Sequence, residues 1–371
     1  MKTRILDTNN PRHVKQFRLL PFSIYRKNPY WVPPLPGEIE FAMDRKKHPF
    51  YAHSDADFIV VESEKQIVGR IAVMKNANYC DYHKTNTAFF YYFESIDDQQ
   101  VAEALLFAAE DWCFKRKISE LYGPRGLLRS NCIGLLVDGF DQHPATGMIY
   151  NMPYYQIQLE TAGYQNFSDH FSGYLDSHID QRIHNVAKKV LSRGNFVVRS
   201  FHSTSEMQNW IPRMDEIHHR AFADNLGFCP STPEEFNLLA KNILAIADPR
   251  YMKLILRGDD IAGFLIAFPN INQGIKFSRG NLFPFGWMAL LLAKKYTRIL
   301  DIEAVGLLPE YQGLGGNAVL YAEIDKVLHN SHFKKAEIVQ VDERNYRSRS
   351  DADTMKVVWN KRHRTFKKSL S

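Results

Sequence analysis

Cysteine is scarce in this 371-residue chain: Cys80, Cys113, Cys132 and Cys229 are widely spaced, with no C-x-x-C pair. That spacing offers neither a zinc site nor a disulfide framework, so no metal is expected and a reducing, cytoplasmic setting fits. Long apolar runs are missing too. The longest, Trp287 to Ala293, falls far short of the ~20 residues a bilayer span needs, so no membrane is expected. The opening residues, Met1 to Asp7, contain no apolar stretch of the signal-peptide kind. Strong charge imbalance is also absent. A net charge of +6 suits anionic ligands such as nucleotides, but ordinary surface charge explains it equally well. It is too small to argue for nucleic acid.

What is present is the composition of a globular protein, 45% hydrophobic and 24% charged, which excludes global disorder. The length suggests two domains. The first 50 residues are rich in proline and aromatics, as in Asn28-Pro29-Tyr30-Trp31-Val32-Pro33-Pro34, and read as an irregular wrap between short helical pieces. A hairpin follows: Phe58 to Glu62, a polar turn Ser63 to Gln66, then Ile67 to Val73. Thr87 to Phe93 reads as another strand. Gln99 to Arg116 reads as a helix with Val101, Ala104, Leu105, Ala108 and Trp112 on one face. A second hairpin, Met252 to Leu256 turning through Arg257 to Asp260 into Ile261 to Ala267, superposes on the first at an offset of 194, Ile67-Val68-Gly69 falling on Ile261-Ala262-Gly263. A strand pair recurring at about half the chain length predicts two copies of one fold, although chance likeness between hairpins is the alternative. Asp176 to Asn195 has helical spacing through Ile179, Ile183, Val186 and Val190 and ends on Arg193-Gly194-Asn195, a C-cap signal. The boundary is therefore expected near residue 176, giving domains 1–175 and 176–371.

One loop carries chemistry. Ile299 to Leu308 reads as a strand stopped by Pro309, and Asn317 to Leu328 as a helix with Val319, Leu320, Ile324 and Val327 on its apolar side. Between them stand Gly313, Gly315 and Gly316. A strand, a glycine loop and a helix start make an anion site: glycine lets the backbone approach, and free N–H groups face the anion. A plain tight turn before a helix is the competing explanation. The P-loop pattern is excluded because no Lys follows, and G-x-G-x-x-G is not met.

At these residues Leu307-Leu308-Pro309-Glu310-Tyr311-Gln312-Gly313-Leu314-Gly315 resembles motif A of the GNAT (GCN5-related N-acetyltransferase) superfamily. Gln312, Gly313 and Gly315 match the motif. Asn317 stands where the family has Gly or Ala, and Gly316 replaces Ile or Val. An Asn at a helix start can serve as an N-cap. Pro29-Tyr30-Trp31-Val32-Pro33-Pro34, Gly134 to Phe140 and Tyr150 to Tyr155 resemble blocks of a bacterial double-GNAT group. The implied fold class is α+β: two tandem GNAT-like domains, each a mostly antiparallel mixed sheet flanked by helices. The resemblance implies an acyl-CoA co-substrate, first of all acetyl-CoA, bound by the backbone N–H groups of Val305 and Leu307 and by Gln312, Gly313, Leu314, Gly315, Gly316 and Asn317. It also implies a small amine or amino-acid-like acceptor.

An N–H aimed at a thioester oxygen stabilises the charge that forms when an amine attacks, and a base must keep that amine neutral. Glu303 is the candidate base, two and four residues before Val305 and Leu307 on the same strand parity. A carboxylate paired at the sheet surface is the commoner role for such a residue. The family's acid is a Tyr in the helix after the next strand, here Ala336 to Val341, and Tyr346 is the candidate, with no Tyr beyond it. In the first copy the equivalent strand, Phe89 to Glu94, leads into Ser95-Ile96-Asp97-Asp98-Gln99 without a glycine cradle. Asp97 or Asp98 is expected to cap the helix and take the place of a pyrophosphate, so CoA binding is expected only in the second half.

His218-His219 matches no metal pattern. Phe222 to Phe228 stands where GNAT domains contact substrate, or is a packed turn. The basic tail, Arg344 to Lys368, is expected to be a solvated edge strand guarded by Lys and Arg. Two further functions stay open beside acyl transfer: a non-catalytic acyl-CoA binder, and a tRNA-dependent aminoacyl transferase. A homodimer is also left open.

Overall fold

The computed structural model describes residues 1–176, 180–194 and 196–370. Ile179 and Asn195, cited above in the linker helix, lie outside the described residues. In chain order the strands are β1 (Lys2–Ile5), β2 (Asp55–Ser63), β3 (Gln66–Lys75), β4 (Thr87–Ser95), β5 (Glu120–Gly123), β6 (Leu135–Asp138), β7 (Gln165–Leu175), β8 (Val197–Ser200), β9 (Lys253–Arg257), β10 (Asp260–Pro269), β11 (Ile299–Leu307), β12 (Lys335–Asp342) and β13 (Val358–Ser369). The chain divides into two compact units, residues 1–170 with 275–289 and 361–371, and residues 171–274 with 290–360. Two stretches that the sequence reading places in the C-terminal domain, 275–289 and 361–371, thus pack with the first unit.

In the first unit the strands run in the order β1-β2-β3-β4-β5-β13, with β6 also on β13. β1 to β4 pair antiparallel and β4 pairs β5 in parallel. Alternation sorts the side chains. Ile59, Val61, Ile71 and Val73 pack under the helix Gln99–Lys115, and Phe58, Val60, Ala72 and Met74 face the N-terminal helices. The wrap expected there consists of the helices Pro11–Ile24 and Glu38–Met43 and a short 3-10 turn, Pro49–Ala52.

The second unit repeats this plan in the order β12-β11-β10-β9-β8. Leu265 and Ala267 of β10 pack towards the helices Gln181–Ser192 and Gly316–His329. Phe264 and Ile266 face the helices Thr204–Gln208 and Ile211–Phe222. The two hairpins agree pair by pair. Ser63 faces Gln66, Glu62 faces Ile67 and Val61 faces Gly69 in the first. Arg257 faces Asp260, Leu256 faces Ile261 and Ile255 faces Gly263 in the second. Each residue of the second carries the number of its counterpart plus 194, and the register skip falls on Val68 and on Ala262 alike. Such agreement in turn length and bulge is a signature of two copies of one fold.

The basic tail is corrected by the structure. β13 pairs β5 from Phe366↔Gly123 to Ser369↔Glu120 and pairs β6 through Arg362 to Arg364, so it is no solvated edge. Its cations find acidic partners: Arg364 grips Asp169 at 2.6 and 2.7 Å, and Lys368 reaches Glu110 at 2.8 Å. Lys361 and His363 are buried. A basic alternating segment reads as an edge only until its acidic partners, far away in sequence, are known. Among the described residues no helix is long and apolar enough to cross a membrane.

The glycine shared by both hairpins is a packing requirement. A Cβ on Gly263 would lie 2.7 Å from the Gly306 carbonyl oxygen and 2.8 Å from Leu307 Cδ1. Since that backbone oxygen belongs to the neighbouring strand and cannot move aside, Gly263→Ala is expected to destabilise by about 1–3 kcal/mol. A lower denaturation midpoint at unchanged m-value would register it.

Candidate active site

β11 and β12 are paired in parallel only from Ile299↔Lys335 to Ile302↔Ile338. Beyond that point both strands continue, β11 to Leu307 and β12 to Asp342, but apart. On its other edge β11 stays bonded to β10 up to Gly263↔Leu307, and the Leu308 N–H donates to the Ala262 carbonyl at 2.9 Å. Successive N–H groups of a strand point to opposite edges. The N–H groups of Val305 and Leu307 therefore point into the opening, where β12 no longer takes them.

The opening leads to the glycine loop. A 3-10 turn, Pro309–Tyr311, is followed by Gln312 and by Gly313 and Gly315 at φ 74° and 84°. Gly315 is the N-cap of the helix Gly316–His329 and supplies no side-chain cap, so no cap side chain takes the first-turn N–H groups. Each glycine has its own reason. Gly313 adopts a left-handed conformation in open space. Gly315 would place a Cβ 2.6 Å from Val190 of the helix Gln181–Ser192, and Gly316 one 2.8 Å from Leu307. The loop is drawn in against both neighbours.

The polar residues here act differently from the sequence expectation. Asn317 is not the N-cap: it is the second residue of the helix, and its Nδ2 donates to Asp351 Oδ2 at 2.9 Å. Asp351 also takes the Tyr321 hydroxyl, and burial raises its carboxyl despite both bonds. Gln312 Nε2 donates to the Leu307 carbonyl at 3.2 Å, and its Oε1 accepts from Arg347. Leu314 is exposed. Tyr346 opens the helix Tyr346–Thr354 and is 78% exposed, one residue before the Arg347 that reaches the loop.

Glu303 stands at a β-bulge. The register between β10 and β11 slips there, Ala304 facing Ile266 and Ile302 facing Ala267, so Glu303 has no partner on β10. Simple strand parity therefore does not set its direction. Its side chain is exposed at the surface, while the protein crowded around its carboxyl, with the Asp301 charge as the lesser cause, raises it to about 7. Asp301 is buried and held by Asn270 Nδ2 at 3.1 Å to each oxygen. It faces Glu337 across the last paired turns of β11 and β12, and the Tyr174 hydroxyl bonds to Glu337. Among the described residues no cluster of His, Cys, Asp and Glu could hold a metal ion.

A cavity missed in the sequence lies on the other face of this unit. Trp210, Met214, His218, Phe236, Ile243 and Phe264 are among its walls, and its lining is almost wholly apolar. Phe264 also touches the position of a Gly306 Cβ at 2.7 Å, so this cavity abuts the strand that borders the opening. His219, beside it, is engaged otherwise: its Nε2 accepts from the Ser231 N–H at 3.2 Å. Only its i, i+3, i+4 spacing across two helices hinted at such a cavity.

The first unit has the same opening, since β4 and β5 pair only from Thr87↔Glu120 to Phe89↔Tyr122. Here it is filled by protein. Ser95 faces Gly69 as Leu307 faces Gly263, and the Ser95 N–H donates to the Tyr155 hydroxyl at 3.1 Å. Glu94 accepts from Tyr25 at 2.6 Å and Tyr155 at 2.8 Å and lies near the buried Arg70 guanidinium. The helix start is closed by Asp98, which accepts from the Gln100 N–H at 2.9 Å, as expected from the sequence.

A mixed sheet whose parallel pair parts, present twice in one chain and followed in the second copy by an uncapped, glycine-led helix, is the tandem GNAT fold. A tandem GNAT protein from the clavulanic acid biosynthesis pathway superposes with a TM-score of 0.57 at 12% identity, over 100% of this chain and 98% of that one. No family model matches the chain. It belongs to the bacterial double-GNAT family that includes two curated relatives, each 30% identical to it. One, from Caulobacter vibrioides, is named bacterial ceramide synthase and aligns over 316 residues, 83% of this chain and 81% of that protein. The other is protein YghO of Escherichia coli, aligned over 322 residues, 82% and 78%.

Gly315→Ala combines a strained left-handed φ with the Val190 clash. It is expected to weaken acyl-CoA binding at least tenfold, read as a lost thermal shift. Gly313→Ala, strained but unobstructed, is expected to lose less. Tyr155→Phe in the first unit should cost about 1–3 kcal/mol of stability, because it strands the Ser95 N–H and removes a partner of Glu94, while the thermal shift with acyl-CoA stays as in the unaltered chain.

Proposed function

We propose that the protein is an acyl-CoA-dependent N-acyltransferase whose second unit holds the donor. The observation that carries the reading is the open edge of β11: two strand N–H groups face a gap that ends at a helix start with no side-chain cap. Helix N–H groups and the loop Gln312 to Asn317 would take the pyrophosphate. The N–H groups of Val305 and Leu307 would hold pantetheine and the thioester oxygen. In this reading an amine attacks the thioester carbonyl, a C–N bond forms, the C–S bond breaks and CoA leaves as thiolate. Glu303 accepts the proton the amine sheds, and Tyr346 supplies one to the thiolate.

The apolar cavity bears on the acyl group. Acetyl has nothing to bury in a space walled by Trp210, Met214, Phe236 and Phe264, whereas each buried methylene of a longer chain contributes about 0.8 kcal/mol. The donor is therefore read as a fatty acyl-CoA rather than acetyl-CoA. The name of the Caulobacter relative points the same way, ceramide being a fatty amide of a long-chain amino alcohol. The acceptor is accordingly read as a long-chain amine in place of a small one.

The test is a series of acyl-CoAs from acetyl upward. Thermal midpoint shift should grow with chain length, and free CoA should be released steadily when a long-chain amine is added. A shift independent of chain length would remove the cavity from the reading. Shift without turnover would leave a binder. If Glu303 is the base, the rate should rise as pH climbs through about 7, because only the deprotonated carboxylate accepts a proton. Glu303→Gln should abolish that limb and lower the rate by roughly 10²-fold, and an unchanged pH profile would refute the assignment.

A further inference from the structure

The two copies differ in the connection that leads from the hairpin to the next strand. Between β3 and β4 the chain needs only residues 76–86, whereas between β10 and β11 it takes residues 270–298, eighteen more. That longer segment is the most exposed apolar stretch of the protein. Among the described residues, nine of the twenty-two exposed large hydrophobic side chains lie between Phe277 and Tyr296. Phe277 is 74% exposed, Phe283 83% and Phe285 62%, and Trp287, Leu291 and Leu292 follow at the surface of the helix Gly286–Tyr296. Trp287, Met288, Leu291 and Leu292 recur at the spacing of one helix face. The segment is anchored by its other side. Ile275 is buried, and Lys276 donates to the Pro29 carbonyl within the first unit.

Its charge is as one-sided as its hydropathy. No Asp or Glu occurs between Asp260 and Asp301, while Lys276, Arg279, Lys294, Lys295 and Arg298 do. Arg279, Lys295 and Arg298 are exposed. A soluble monomer rarely leaves so many contiguous apolar side chains in water. A protein–protein patch of this size would be expected to carry both signs on its rim. Exposed Phe, Leu and Trp flanked only by cations is the composition of a segment that lies in the interface of an anionic bilayer, apolar tips among the acyl chains and cations at the phosphates. We propose that residues Phe277 to Tyr296 form a docking element for an anionic membrane surface. It lies on the surface and does not span, in keeping with the lack of a crossing helix among the described residues. It revises the expectation of no membrane, which rested on run length alone. Ile275, at the root of the segment, also lines a cavity of the first unit bounded by Trp31, Glu38, Arg70, Tyr91 and Tyr150. Docking would thus bring an aromatic-walled cavity of mixed polarity to the lipid surface.

The proposal does not rest on acyl transfer, and its test uses no CoA. The full chain is floated with vesicles of phosphatidylcholine alone and of phosphatidylcholine with about one third phosphatidylglycerol. Flotation is expected only with the anionic vesicles and should fall as salt is raised, with a blue shift of tryptophan emission. Phe283→Ser combined with Phe285→Ser and Trp287→Ser should weaken binding at least tenfold with the thermal midpoint unchanged, since all three side chains are exposed. Arg279→Glu with Lys295→Glu, which leaves the apolar face intact, should weaken it and flatten the salt dependence. Failure of the unaltered chain to float with either vesicle would overturn the proposal, as would full binding by the serine variant. Self-association that the serine variant abolishes would assign the face to a second copy of the chain instead.

Discussion

The parting of two parallel strands governs the rest of this structure. Parallel partners normally satisfy each other's backbone groups, and a buried N–H without a partner costs about 1–3 kcal/mol. When β11 and β12 separate after Ile302↔Ile338, the groups that faced each other must find another solution. Much of what surrounds the opening can be understood as a response. Gln312 closes on the Leu307 carbonyl, and Arg347 closes on Gln312. Asn317 ties the loop helix to Asp351 and through it to Tyr321. What these bonds leave unclosed, the N–H groups of Val305 and Leu307 and the helix start at Gly316, is aligned along one edge.

The first unit meets the same constraint with the opposite solution. The geometry of the gap is retained, but Tyr155 takes the Ser95 N–H and Asp98 takes the helix start. The Tyr155 hydroxyl is itself committed to Glu94, together with Tyr25 and beside Arg70. Burial raises the Glu94 carboxyl although three neighbours lower it. The plug is thus a connected polar network, and such networks hold only when each member is satisfied. Two copies of one hairpin register have diverged by filling a gap in one and leaving it open in the other.

How far this was legible follows from the range of each interaction. Both hairpins could be read, with their turn residues and their offset, because a two-residue turn and alternating side chains are local. The glycine loop and the Asp98 cap were legible for the same reason. Asn317 was misjudged because its partner, Asp351, lies a whole strand further on, and a helix-start Asn reads as a cap until that partner is known. Glu303 was singled out by a parity argument that the bulge invalidates. Tyr155 was legible only as part of the Tyr150 to Tyr155 block, and its pairing with Ser95, sixty residues away, left no local mark. β13 looked like a basic edge because Asp169 and the β5 pairing are both far away in sequence.

The apolar segment marks the limit of run-length reasoning most clearly. Trp287 to Ala293 is too short to cross a bilayer, and that comparison is correct for crossing. It says nothing about lying on one, which depends on where the apolar residues point and which charges flank them. The fold supplies that missing fact. The helix Gly286–Tyr296 is not folded back over a core, as its composition alone would suggest, and keeps Trp287, Leu291 and Leu292 in solvent. An amphipathic helix normally buries its apolar face in its own protein, since that burial is its main source of stability. Here the helix is held by a few side chains on its far side, among them Lys294, which donates to the Ala247 carbonyl at 2.6 Å. A face that gives up the stabilisation of the core needs another apolar phase to recover it, and the absence of any acidic residue across forty positions decides which phase that is.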